Sequence, residues 1–242
     1  MHTQRVQIPG SSNTTLEGMI LSNPSFAGKR PAILVIHGWT SSMARYPSRV
    51  ESLVDMGYLA VLFDLRGHGE TGGELGTLSP HDHLNDCLAA FDFMTSLSNA
   101  DTQNISVIGS SYGGYLASLL TAARKVDHLV LSVPALYPNA IFDSHKGLQR
   151  SDETIQYREV LHTPDSDFAL DAVNKFRGDL LLLRAENDEV LPLAVTQNYQ
   201  NAAQVPFTYN IIKDSDHAMH SPGANEERIK IQTGWFKQFI SE

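Results

Sequence analysis

The stretch Ile105-Ser106-Val107-Ile108-Gly109-Ser110-Ser111-Tyr112-Gly113-Gly114-Tyr115-Leu116-Ala117-Ser118-Leu119-Leu120 decides the fold. Its first four residues are an apolar strand signal and its last six read as helix. Between them lies G-x-S-x-G, the pattern of a strand that turns abruptly into a helix and lifts a serine above the sheet. The serine backbone is forced into a strained conformation there. Side chains at the flanking positions would meet the neighbouring strand and helix, so both are glycine. Gly114 adds room. Ser111 is the candidate nucleophile, and Ser110 reads as a small packing residue.

Working outward, strand and helix signals alternate on both sides of this corner. Residues 4–8 and 15–21 read as a hairpin through Gly10-Ser11-Ser12-Asn13. Residues 31–36 and 59–63 are nearly continuous apolar runs, as expected of strands buried on both faces. Further strands are read at 127–133, 179–183 and 207–212. Helices are expected at about 43–56, about 80–97 and about 225–240. The second has a defined start: Ser79 caps, Pro80 fits the first turn and Asp82 faces the positive end of the dipole. The alternation specifies a doubly wound, mostly parallel, eight-stranded sheet in one domain spanning residues 1–242. Residues 134–176 break it, being polar with scattered aromatics, and read as a short helical cap over the carboxyl ends of the strands.

Composition narrows the function. A net charge of −9 with no basic block argues against a nucleic-acid partner. The single cysteine, Cys87, excludes an intramolecular disulfide and falls with Leu84, Leu88, Phe91 and Met94 on one helix face, so it reads as core. No apolar run reaches the ~18 residues of a membrane span, and no leader pattern precedes the first strand. A cytoplasmic protein is expected, with a homodimer left open. His81-Asp82-His83 is the only tight histidine cluster, and its i, i+2 spacing does not share a helix face, so no metal site is read. Neither glycine-rich nucleotide pattern occurs.

Five stretches now stand together: His37-Gly38-Trp39-Thr40-Ser41-Ser42, Asp64-Leu65-Arg66-Gly67-His68-Gly69-Glu70-Thr71, the serine corner, and the two acidic loops Arg184–Pro192 and Asp214-Ser215-Asp216-His217. With them the whole chain resembles the α/β-hydrolase fold family, and most closely its small serine esterase-like members with an HG-aromatic oxyanion loop and a short lid. The resemblance implies a Ser111, Asp188, His217 triad in the chain order of that family. It implies an oxyanion hole made by the backbone N–H groups of Trp39 and Tyr112. His37 is expected to brace its loop, and the Asp64–Glu70 stretch to be an ion-paired structural turn. Glu186 and Glu189 read as solvated charges, and His220 is the rival base. Ala185, where the family usually has glycine, is a departure.

The activity implied is hydrolysis of carboxylic esters of small to medium acyl or aromatic groups through an acyl-enzyme, with a small-molecule ester as partner and no cofactor. Tyr137, Phe142 and Tyr157 are candidates to line the substrate pocket. Acyl thioesterase and serine aminopeptidase-like activity are the alternatives. For the latter, Asp143, Asp152, Glu153 or Glu159 would hold a substrate amine. A non-catalytic binding protein on the same fold is the alternative from another class.

Overall fold

A computed structural model describes residues 1–145, 151–219, 221 and 223–240. Eight strands form one sheet: β1 (His2–Pro9), β2 (Thr15–Ser22), β3 (Arg30–Ile36), β4 (Leu59–Phe63), β5 (Ala100–Ser110), β6 (His128–Ser132), β7 (Asp179–Ala185) and β8 (Phe207–Ile212). Their order is β1-β2-β4-β3-β5-β6-β7-β8, with β1 and β2 antiparallel and the rest parallel. This is the doubly wound, mostly parallel sheet expected from the strand and helix signals, in the α/β-hydrolase form that the resemblance implies.

The continuous apolar runs have a simple cause. Alternate residues of one strand face opposite sides of the sheet, and both sides are covered. Leu34, Val61, Val107, Leu129 and Leu182 pack into one core with Cys87 and Leu116. Their neighbours Ile33, Leu62, Ile108, Val130 and Leu181 pack into the other. Helices α2 (Pro80–Ser96), α3 (Tyr112–Leu120), α5 (Phe168–Lys175) and α6 (Leu193–Ala202) cover the first side; α1 (Pro47–Asp55) and α7 (Ala224–Phe236) cover the second.

Local chemistry sets the helix ends. Ser79 and Asp82 exchange hydrogen bonds as a capping box with Pro80 in the first turn of α2, as the sequence requires. The helix expected at about 43–56 is divided. A 3-10 turn covers Met43–Arg45, and α1 starts at Pro47 after Tyr46. Pro47 donates no N–H, so it is tolerated in the first turn of a helix and not in its interior. Residues 134–176 hold two 3-10 turns, the short helix α4 (Asp152–Arg158) and α5, which packs its Ala169, Leu170 and Val173 into the first core.

Candidate active site

Ser111, Asp188 and His217 lie at the carboxyl edge of the parallel strands. Ser111 follows β5 and adopts φ 54°, ψ −116° before α3 begins. The two flanking glycines are required by close approach. A Cβ on Gly113 would sit 2.2 Å from the Ile36 carbonyl oxygen, and one on Gly109 would sit 2.3 Å from the Gly113 oxygen. The strained serine is fixed by its own backbone: its N–H donates to the Ser132 carbonyl, and its carbonyl accepts from Gly114, Tyr115 and Ala135.

Asp188 and His217 come from the loops after β7 and β8 and meet the serine. The Ser111 hydroxyl lies 2.9 Å from His217 Nε2, and His217 Nδ1 lies 2.8 Å from Asp188 Oδ2 and 3.0 Å from Oδ1. The carboxylate can only accept, so the proton sits on Nδ1 and Nε2 is left to accept from the serine. Asp188 is itself aimed by the Val190 and Leu191 N–H groups, both donating to Oδ1.

Glu186 and Glu189 do more than face solvent. The Glu189 carboxylate accepts the His217 N–H at 3.1 Å, and Glu186 accepts from the Asp214 N–H and the Lys213 ammonium. Both acids of the β7 loop thus hold the loop that carries the histidine. His220 lies outside the described residues. Left-handed backbone at residues other than glycine clusters at this edge: Thr40, Ser111, Val133, Asp214 and Met219 all have positive φ, and Asn13 is the remaining case among the described residues.

The loop after β3 lies against Ser111. A Cβ on Gly38 would be 3.3 Å from the Ser110 oxygen and 3.4 Å from the Ser111 Cβ. The Gly38 N–H donates to the Tyr46 hydroxyl, and Trp39 follows it. Tyr112 opens α3, where the first N–H groups have no acceptor within the helix.

Three buried histidines brace this edge from below. His37 Nδ1–H donates to the Gly38 carbonyl and its Nε2 accepts from the Leu65 N–H. His83 Nε2–H donates to the Arg66 carbonyl, so its Nδ1 accepts from the Tyr112 hydroxyl. Burial pushes His37 down to about 3 and His83 down to about 4, so both are neutral. His68 is lowered as well, again by burial. Trp39 packs edge-on against His68, His83 and Tyr112. Asp64 makes no close ion pair: its carboxylate accepts the Met43 and Glu70 N–H groups, and Arg66 pairs with Asp86 instead. Among the described residues no group of His, Cys, Asp or Glu is placed to hold a metal ion.

A cavity of about 220 Å³ opens beside Ser111 and His217. Tyr137, Phe142 and Tyr157 are not among the residues lining it. Tyr137 is buried against Tyr112 and Tyr115 under the Arg158 guanidinium, Phe142 stacks on His81, and the Tyr157 hydroxyl donates to Asp167. Polar and aromatic partners within the cap and its base claim these rings. Instead, the cavity wall includes Arg45, Tyr46, Arg49 and Arg228, which the sequence did not single out. A second cavity of about 410 Å³ lies on the far side of Asp188, bounded by Ile155, Arg158 and Glu159 at the end of α4. Of the four cap acids, only Glu159 reaches it, and Ser111 does not line it.

Residues 27–158, more than half of the chain, match the serine aminopeptidase S33 family. The chain belongs to this family. It is a hydrolase of the α/β fold. An uncharacterized protein of Mycobacterium tuberculosis is 24% identical over 234 residues, covering 94% of this chain and 77% of its own length. An esterase of Pyrococcus furiosus superposes with a TM-score of 0.75 at 20% identity, covering 98% of this chain and 91% of that one. Est1E of Butyrivibrio proteoclasticus, with ferulic acid bound, gives 0.74 at 18% identity over 97% of each chain. These two structural likenesses bear on the fold. Among the described residues of this S33 family member, no helix is long and apolar enough to cross a membrane.

Proposed function

We propose that this S33 family hydrolase cleaves carboxylic esters through an acyl-enzyme on Ser111. The observation that carries the reading is the unbroken hydrogen-bond chain from the Ser111 hydroxyl through His217 to Asp188, at 2.9 and 2.8 Å. His217 Nε2 takes the serine proton as Oγ attacks the carbonyl, and Asp188 holds the ring and stabilises the imidazolium. The oxyanion forms against the N–H groups of Trp39 and Tyr112. Each such donor is worth about 2.7–4 kcal/mol of barrier. His217 then gives its proton to the leaving alcohol, and a water deprotonated by the same nitrogen releases the acid. The choice of ester follows the Pyrococcus furiosus esterase that this chain is similar to, and residues 134–176 serve as the cap, with α4 beside Asp188.

The test is labelling with a fluorophosphonate probe, native chain against Ser111→Ala, followed by turnover of p-nitrophenyl esters of graded chain length. Labelling lost in the variant together with ester turnover is the expected result. Labelling without ester turnover moves the substrate to a thioester or a peptide. No labelling of the folded native chain overturns the reading in favour of a binding protein.

A further inference from the structure

Three arginines stand in the wall of the cavity that holds Ser111 and His217. Arg45 closes the 3-10 turn after the oxyanion loop, Arg49 lies in α1 and Arg228 lies in α7. No aspartate or glutamate is among the described residues lining that cavity. Arg228 is only 4% exposed, and among the described residues its Nε has no hydrogen-bond partner and its one side-chain bond is a donation from Nη2 to the Asn225 amide oxygen. The Arg49 guanidinium lies over the Tyr46 ring, 4.5 Å from its centroid.

The charges felt at this wall are alike. Burial lowers Arg228 to about 9, with Arg49 as the next cause, and burial followed by the attraction of Tyr46 and the repulsion of Arg45 acts on Arg49. Even so lowered, Arg228 is cationic at neutral pH. A guanidinium taken out of water without a carboxylate destabilises the fold. In a chain of net charge −9 with 27 acidic side chains to draw on, three arginines without a facing acid are a specific arrangement. Tyr46 ties the wall to the reaction centre, since its hydroxyl also accepts the Gly38 N–H beside the nucleophile.

We propose that this wall is an anion subsite, and that the substrate carries a carboxylate that docks there while its ester lies over Ser111. The assignment rests on the ester-hydrolase reading and deepens it by naming the substrate class, an ester of a carboxylate-bearing acid or alcohol. Guanidinium forks match a planar carboxylate in two parallel hydrogen bonds. The cavity, about 220 Å³, is small enough that the carboxylate and the reacting carbonyl are separated by a short chain or one ring. Its remaining walls include Val133, Met219 and Trp39, which suit the carbon skeleton between the two.

The test compares charged and neutral esters. In one pair the carboxylate is on the acyl half (p-nitrophenyl hydrogen adipate against p-nitrophenyl hexanoate). In the other it is on the alcohol half (4-acetoxybenzoate against phenyl acetate). The expected result is a kcat/KM ratio favouring the charged ester by about tenfold or more in one pair, the size of one charge-assisted hydrogen bond. Arg228→Gln and Arg49→Gln bring that ratio toward one, and Arg228→Lys, which keeps the charge without the fork, falls between. Binding is read separately, as the rise in melting temperature that adipate or benzoate gives the Ser111→Ala protein, which is lost when Arg228→Gln is added. Equal or lower turnover of both charged esters, or a ratio unchanged by Arg228→Gln, overturns the subsite. If no ester is cleaved and Ser111 is not labelled, the hydrolytic reading fails by itself. Stabilisation by the two carboxylates then decides the subsite: loss with Arg228→Gln supports it, and no stabilisation overturns it.

Discussion

His217 and His83 are the same side chain within one edge of one sheet, yet the molecule treats them in opposite ways. His217 is half-buried on a loop, with a carboxylate on Nδ1 and a hydroxyl on Nε2. His83 is fully buried, with a carbonyl and a phenol as partners and no acid in contact. One arrangement accommodates a gained proton because an acid already faces the ring. The other loses a hydrogen bond if it gains one. Partner chemistry, more than position, separates the two rings.

The largest effect that would break this comparison is His217→Ala. Removing the base of a serine triad costs about 10⁶-fold in kcat. The expected loss here is of that order, with the melting temperature little changed. His83→Ala should do the reverse, lowering stability by about 1–3 kcal/mol, since the Tyr112 hydroxyl and the Arg66 carbonyl lose their partner, while retaining most of the turnover. Equal inactivation by the two, in folded protein, would erase the distinction. Next in size is Asp188→Asn, which allows the wrong tautomer and is expected to cost about 10⁴-fold in kcat.

A third effect is on stability against pH. His37 and His83 stay neutral in the fold, down to about 3 and about 4, whereas an unfolded histidine takes its proton near 6.5. Their contribution is therefore complete above pH 6.5 and is lost as pH falls below it, at about 1.4 kcal/mol per pH unit for each ring. The stability gap between native chain and His83→Gln should narrow from pH 7.5 to pH 5. The difference cancels the carboxylates common to both proteins. A gap independent of pH would mean that His83 takes its proton as readily in the fold as in the unfolded chain. The smallest effect is Glu189→Gln. That carboxylate is exposed and, among the described residues, holds only the His217 N–H, so a loss of a few-fold in kcat is expected, within about 1 kcal/mol.

Much of this was legible in the sequence, for a physical reason. Strands covered on both faces must be apolar throughout, so 31–36 and 59–63 announce themselves, and a corner with no room for a Cβ must be glycine. The candidates Ser111, Asp188 and His217 each follow such a strand, and the structure brings them together. The arginine wall was hidden because Arg228 is far along the chain from Arg45 and Arg49. They meet only where α1 and α7 share one face of the sheet. Tyr137, Phe142 and Tyr157 stay out of the cavity beside Ser111 for the converse reason. Tyr137 and Tyr157 look unpartnered in sequence, but their partners Arg158 and Asp167 are polar residues of the same segment.

The left-handed residues at the carboxyl edge have a consequence for anyone seeking a hardier form of this protein. Each non-glycine residue in such a conformation holds back about 1–3 kcal/mol of folding free energy. Five of the six lie in the loops around Ser111. A screen that rewards survival at high temperature would therefore be drawn to Thr40, Val133, Asp214 and Met219, where glycine relieves the backbone. Those same positions fix the angles at which the serine and the histidine meet. Variants selected there for endurance should melt later and turn over more slowly, whereas gains made at the far edge of the sheet should leave the rate alone.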